Sequence, residues 1–226
     1  MIRLAMDIPV SQIKPIYDPH HHQASQNSST VNTLIQTLNL QPHPEGGYFA
    51  ETDRPPPPPP VDKTETQPQD HDPSLPAASS TIFYLLTPNA PLGMFHRDRA
   101  RTIHTWHRGR GRYVIIHADE ASCSHAGLEK SEREEEKVRL ESFVVGPDVA
   151  RGEHLQWVVG AGKYKASYLL PDISTPGDSE GLLISEVVVP GFDFAGLDFL
   201  RKDKMEELLT AEQVRELSWM LKTPEE

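Results

Sequence analysis

Nine short segments rich in β-branched and aromatic residues occupy the middle of this chain, at residues 47–53, 79–86, 94–97, 102–107, 112–117, 138–145, 154–159, 163–169 and 182–189. Glycine, proline and charged turns separate them. Strands of this length and spacing, with no alternation of strand and helix, predict an all-β sandwich or barrel and argue against a parallel α/β sheet. Helical periodicity is confined to the two ends. Val31, Leu34, Ile35 and Leu38 recur on one face after Ser29 and Thr30, which suit an N-cap. Thr210 and Gln213 have the spacing of a capping box, and Val214, Leu217 and Leu221 then form an apolar stripe. Met205, Leu208 and Leu209 predict a short helix just before it.

Three stretches break this pattern. Residues 1–29 lack sustained periodicity and read as a disordered tail, in which His20, His21 and His22 have nothing nearby to fix a metal geometry. Residues 54–76 hold nine of the 21 prolines, six of them consecutive at 55–60. Proline lacks an N–H and fixes φ, so this run predicts polyproline II followed by polar disorder. It is either a tolerated surface insertion or a site for a groove-binding partner. Residues 119–137 form a charged, solvated insertion that includes Cys123, with no cationic cluster to stabilise a thiolate. What remains is a single domain over residues 30–222.

A net charge of -11 argues against a nucleic-acid binder, which needs a basic field. No run of about 18 apolar residues is present to span a membrane. The N-terminus lacks the apolar centre of a secretory leader, and the single cysteine excludes an intrachain disulfide. Together these features lead to the expectation of a cytoplasmic protein.

The densest chemistry lies between Phe95 and Arg112, in F-H-R-D-R-A-R-T-I-H-T-W-H-R-G-R-G-R. Strand alternation puts Thr102, His104 and Trp106 on one face. If that face is the barrel interior, a neighbouring strand aims His96 and Asp98 into the same cavity. Imidazoles and a carboxylate suit a divalent transition metal, or they simply hydrogen-bond inside a polar barrel. Arg97, Arg99, Arg101, Arg108, Arg110 and Arg112 locally invert the sign of an acidic chain. They attract an anion to the barrel mouth or form a solvated rim or subunit contact. The second candidate is H-P-E-G-G-Y-F at residues 43–49, where Tyr48 and Glu51 reach a ligand only if the register turns them inward. As an isolated motif it reads as a turn between helix and strand. Phosphate-binding and dinucleotide-binding glycine patterns are absent, as is a serine nucleophile elbow.

Taken in order, H-P-E-G-G-Y-F with Glu51-Thr52, then S-S-T-I-F-Y-L-L, F-H-R, V-V-G-P-D-V-A-R-G-E, V-V-G-A-G-K-Y and V-V-P-G-F-D-F resemble a branch of the cupin superfamily. These are small single-barrel proteins, mostly without an assigned activity, and the resemblance covers about residues 30–209. It implies a double-stranded β-helix of the cupin jelly-roll type, flanked here by N- and C-terminal helices. The ligand site would lie inside the barrel, and the assembly would be a homodimer. It also implies a metal motif that this chain keeps only in part. His96 stands at the first histidine, Asp98 at the second, Thr102 at the glutamate and Lys165 at the last histidine, while Gly109 fits. The cofactor is therefore open: a divalent metal on His96, Asp98 and His104, or none, because cationic Lys165 repels such an ion unless deprotonated.

Superfamily activities include epimerases, isomerases, decarboxylases, dioxygenases and non-enzymatic ligand binders, so fold does not select a reaction. The leading expectation is acid/base isomerisation or epimerisation of a small, polar, anionic molecule. His96, Lys165 and Tyr48 would transfer protons and bind the anion, with Lys165 lowered in pKa by burial so that it can act as a base. Glu51, Asp98, Thr102, His104 and Trp106 would line the pocket. The alternatives are a non-catalytic ligand-binding cupin and a metal-dependent oxygenase or lyase.

Overall fold

The computed structural model describes residues 6–19, 27–57, 76–121, 137–174 and 177–223. Helix α1 (Ser29–Thr37) precedes strands β1 (Gln41–Pro42), β2 (Tyr48–Asp53), β3 (Ser80–Leu86), β4 (Leu92–Arg97), β5 (Arg101–Arg108) and β6 (Arg110–Ile116). Strands β7 (Leu140–Val145), β8 (Gln156–Val159), β9 (Tyr164–Leu170), β10 (Leu182–Val189) and β11 (Asp198–Phe199) follow, then α2 (Lys202–Leu208) and α3 (Ala211–Leu217). All nine expected strands form, each within two residues of its expected ends. The strands pair antiparallel in two sheets, ordered β1-β2-β3-β10-β5-β8 and β11-β4-β9-β6-β7. This is the jelly-roll arrangement of a cupin.

Alternation along each strand serves two cores at once. On β6, Tyr113 and Ile115 join Tyr84, Phe143, Trp157 and Ile184 between the sheets. Their neighbours Val114 and Ile116 point the other way, into a cluster with Phe95, Tyr164, Leu200 and Met205. Strand β9 is buried at every position because both of its faces are covered. The outer cluster is closed by Leu208, Leu217 and Met220 from the C-terminal helical segment. The opposite sheet turns Leu85 and Leu183 outward against Leu34, Ile35 and Leu38 of the α1 region.

Side-chain caps fix where α1 and α3 begin. The Thr210–Gln213 capping box is reciprocal: the Gln213 N–H donates to Thr210 Oγ1 at 3.3 Å, and the Thr210 N–H donates to Gln213 Oε1 at 3.0 Å. Helix α1 is capped one residue earlier than expected, by Ser28, whose Oγ accepts the Val31 N–H at 3.2 Å. That hydroxyl also donates to Glu180 Oε2 at 2.8 Å, a tertiary contact that periodicity does not encode.

The expectation of a disordered tail over residues 1–29 is corrected for residues 6–19. Ile13 is fully buried in the outer cluster, with Met6, Ile8 and Val10 packed against it. Asp7 pairs with Arg112, and Lys14 pairs with Glu216 on α3. A few isolated apolar residues fill gaps on a surface built by other elements, so no periodic signal marks them. The three adjacent histidines, residues 58–75 of the proline-rich insertion and residues 122–136 with Cys123 lie outside the described residues. Among those described, no helix is long and apolar enough to cross a membrane.

Replacing Ile13 with Ala is expected to cost about 2–5 kcal/mol, the usual range for emptying a buried aliphatic site. Urea unfolding checks this, and an unchanged midpoint would mean that the tail is not part of the core.

Candidate functional site

Cross-strand register makes neighbours of residues far apart in the chain. His96 on β4 stands opposite Lys165 on β9. His104 on β5 stands between Glu186 on β10 and Trp157 on β8. All of these side chains are buried. Lys165 Nζ donates to Glu186 Oε2 at 2.9 Å and lies 3.3 Å from His104 Nε2 and 3.7 Å from Asp98 Oδ2. The His104 ring stacks on Trp157 with centroids 5.0 Å apart.

Glu45 reaches the same place through a turn that requires glycine. Gly46 has φ +100°, and a Cβ there would lie 2.0 Å from the Leu92 carbonyl oxygen. Gly47 has φ +69°, and its Cβ would lie 2.8 Å from the Leu85 carbonyl oxygen. The turn is tied down on both sides, because the Tyr84 hydroxyl donates to the Gly46 carbonyl at 2.9 Å and the Met94 N–H donates to the Glu45 carbonyl at 2.7 Å. Glu45 Oε2 then stands 3.1 Å from His96 Nε2, close but not aligned as a hydrogen bond. On the other side of the ring, His96 Nδ1 is 2.8 Å from the Met94 carbonyl oxygen. A carbonyl can only accept, so Nδ1 carries the proton and Nε2 turns its lone pair toward Glu45.

The electrostatics divide the site into a fixed ion pair and a proton-sharing pair. Burial alone would pull Lys165 down, but Glu186, Asp98 and Glu45 outweigh it and hold the ammonium above its ordinary pKa. Burial alone would raise Glu186, but Lys165 and His104 outweigh it and hold that carboxylate well below its usual range. Lys165 is therefore a permanent cation, which overturns its expected role as a neutral base. Burial holds Glu45 well above the usual carboxyl range; Lys165 opposes this, while Glu186 and Asp98 reinforce it. Burial and then the Lys165 charge hold His96 well below the ordinary histidine value. Both shifts favour the neutral forms, a Glu45 carboxyl facing a neutral His96 imidazole. His43 is lowered to about 4, mainly by burial, and its Nδ1 accepts the Glu45 N–H at 3.2 Å.

His43, Glu45, Asp98, Lys165 and Glu186 form the polar floor of a cavity of about 50 Å³ walled by Phe49, Ile82, Val188, Phe192 and Phe194. His96 instead lines a void of about 10 Å³ behind Glu45, with Tyr84, Tyr113 and Ser167. A ligand in the cavity meets Glu45 first, and His96 stands behind it. Outward, the cavity shares Arg54, Asp98, Val188 and Phe192 with a vestibule of about 580 Å³.

A divalent metal does not fit this donor set. The Lys165 ammonium already sits among Glu186, His104 and Asp98, at 2.9, 3.3 and 3.7 Å. Among the described residues, no three His, Cys, Asp or Glu side chains gather at ligand spacing.

Of the residues singled out in the sequence, His96, Asp98, His104 and Lys165 do converge. Glu51 reaches the cavity wall, where it pairs with Arg54 at 2.5 Å. Tyr48 does not belong to the site. It packs with Leu40, Leu85 and Leu183 on the outer face of its sheet, because alternation sends Phe49 and Glu51 inward and Tyr48 out. Thr102 is buried opposite Val188 and Val159 without lining the cavity, and Trp106 packs against the inner core while donating to the Gly109 carbonyl at 2.8 Å. Most of the arginine run is structural: Arg97, Arg108, Arg110 and Arg112 pair with Asp198, Glu180, Glu153 and Asp7. Arg99 lines the vestibule.

Sequence reasoning missed Glu45, Glu186 and His43. For Glu186 there was a signal, a lone carboxylate in the otherwise apolar strand L-L-I-S-E-V-V-V. For Glu45 it was the acid immediately before two adjacent glycines.

Over residues 32–200 the chain matches the profile of the cupin superfamily (DUF985), and it belongs to that family. An uncharacterized protein of Saccharomyces cerevisiae is 39% identical over 194 residues, 85% of this chain and 86% of that protein. A hypothetical protein from Leishmania major shares the fold with a TM-score of 0.60 and 25% identity, over 84% of this chain and 97% of that one. A protein from Shewanella oneidensis does so with a TM-score of 0.61 and 22% identity, over 86% and 98%.

Lys165→Met leaves Glu186 buried without its counter-charge and is expected to cost about 3–5 kcal/mol. Adding Glu186→Leu should recover most of that loss; a double variant as unstable as the single one would mean the pair is not coupled. His43 gives a pH signature. Its lowered value stabilises the fold fully above its ordinary pKa of about 6.5, and this contribution, about 3 kcal/mol, is lost as pH falls toward 4. The Glu186 contribution is lost in the same direction at lower pH, whereas that of Glu45 runs the opposite way, being lost as pH rises. His96 and His104, also lowered, add slope of the same sign in this window. His43→Gln should therefore make the pH dependence of urea unfolding shallower without abolishing it, and an unaltered slope would remove His43 as a contributor.

Proposed function

We propose that this cupin transfers protons on a small polar substrate held at the cavity floor, as an isomerase or epimerase does. The observation that carries the reading is the buried Glu45–His96 pair beside the fixed charge of Lys165. One proton shared between a carboxyl and an imidazole can be taken up or given back with little rearrangement. Glu45 accepts a proton from the substrate on one oxygen while passing its own through Oε2 to His96 Nε2, 3.1 Å away, as the two groups align. The imidazolium so formed is balanced by the negative charge that appears at the same moment on the substrate. The Met94 carbonyl keeps the ring oriented by holding Nδ1–H.

Negative charge left on the substrate is stabilised by the Lys165 ammonium, already in place and shielded from water. Return of the proton to the opposite face, or to a neighbouring atom, completes the change. Glu186 keeps Lys165 charged and positioned. His96 and Lys165 thus keep the roles of proton carrier and anion stabiliser, while Glu45 replaces Tyr48.

The test is proton exchange, which reads the chemical step directly, whatever the product. A panel of small hydroxy- and oxo-acids, sugars and sugar acids is incubated with the protein in D2O, and deuterium incorporation is read by NMR. Wild type should exchange a carbon-bound proton in at least one class. His96→Asn and Glu45→Gln should each slow that exchange by about a hundredfold or more, within the range typical of acid–base catalysis, with melting temperature unchanged. Compounds that raise the melting temperature without exchanging would overturn this reading in favour of a non-catalytic ligand-binding cupin.

A further inference from the structure

Beyond the proton-transferring floor, and resting on that reading, we infer that the cavity neck and vestibule form a second subsite, for a flat aromatic ring bearing a carboxylate or phosphate. The two spaces differ sharply in size, about 50 Å³ at the floor against about 580 Å³ outside. The inner space takes little more than a reacting group, so the rest of a substrate must lie outward. The neck through which it passes is aromatic. Phe194 remains 56% exposed although it borders the cavity. Its ring lies 6.4 Å from His43, inclined by 27°, and meets Phe192 edge-on at 4.9 Å. His43 in turn meets Phe49 edge-on at 4.5 Å. Four rings thus support one another and leave a Phe194 face open to stacking by a planar group.

The vestibule also offers one guanidinium without a partner among the described residues, in a wall that carries the Asp193 carboxylate as well. Arg54 Nε and Nη2 donate to Glu51, at 2.9 and 2.5 Å, and its Nη1 donates to the Phe192 carbonyl at 2.9 Å. Asp98 turns inward to Lys165 at 3.7 Å, and Asp193 accepts the Ala195 N–H at 2.9 Å. Arg99 lines the same vestibule, is exposed, and has no hydrogen-bond or ion-pair partner among the described residues. A guanidinium in this position takes a carboxylate or phosphate through paired N–H donors. A ring at Phe192 and Phe194 with its anion toward Arg99 places the opposite end of the molecule over Glu45 and Lys165.

Calorimetric titration of the full chain tests this with 2-naphthyl phosphate, 2-naphthoate, 2-naphthol and cyclohexyl phosphate. The two naphthyl anions should bind wild type about tenfold or more tightly than the uncharged ring or the non-planar phosphate, the scale of one stacking contact or one charged contact. The tighter of the two anions identifies the group that Arg99 receives. Phe194→Ala and Arg99→Gln alter exposed side chains, so their melting temperatures should match wild type, while each weakens the preferred anion by about tenfold. Added salt should weaken binding to wild type but scarcely to Arg99→Gln. Equal affinity for all four probes, or binding untouched by both substitutions, overturns the subsite. These arms read binding alone, so failed deuterium exchange does not affect them, and failed probe binding does not affect the assignment of Glu45.

Discussion

A lysine and a glutamate buried together inside the barrel set the terms for everything around them. Neither charge is tolerable there alone, since desolvation of an unpaired ion costs several kcal/mol. Held 2.9 Å apart, Lys165 and Glu186 keep each other ionised. Their fields then act on groups that carry no permanent charge. The ammonium disfavours a second cation on His96, and the carboxylate disfavours a second anion on Glu45. The neutral state of the Glu45–His96 pair is therefore favoured chiefly by burial; the ammonium reinforces it at His96 but opposes it at Glu45, where Glu186 acts more weakly in the other direction. The same ammonium sits among the Glu186, His104 and Asp98 donors that a divalent ion would need.

The backbone holds this arrangement with few degrees of freedom. Lys165 near the start of β9 and Glu186 within β10 are each paired to a strand on either side, which fixes their direction. His96 lies next to a register shift in the β4–β9 pairing, which re-aims a side chain at the sheet's inner face. Glu45 comes from a turn rather than a strand, and its rigidity has a different source: glycine conformations no other residue adopts cheaply, clamped by Tyr84 and Met94. A site assembled this way has little room to reorganise, which suits stabilisation of developing charge.

Much of this was legible in the chain. Strand alternation is a period-two signal, and it put Thr102 and His104 on one face, which is buried; Lys165 entered through the family resemblance and not through alternation. Tyr48 and Glu51 enter the candidate site together on an open register, although residues three apart on a strand face opposite ways, and the structure turns Glu51 in and Tyr48 out. The pKa of Lys165 was misjudged for another reason. Burial was inferred without its partner, and Glu186 lies 21 residues away on a different strand. The arginine run shows the same limit: its local density is real, but Asp198, Glu180, Glu153 and Asp7 neutralise most of it from distant parts of the chain.

What the amino-acid order by itself determined is the local grammar: the strands, the capped C-terminal helix, the glycine turn, and which strand residues share a face. These follow from backbone sterics and from periodicity over a few neighbours. Only the tertiary structure decided which charges meet, that residues 6–19 close one core, and that Glu45 rather than Tyr48 stands before His96. Those outcomes depend on cross-strand register and long-range packing, where free energy is set by partners dozens of residues apart and no short window of sequence contains both.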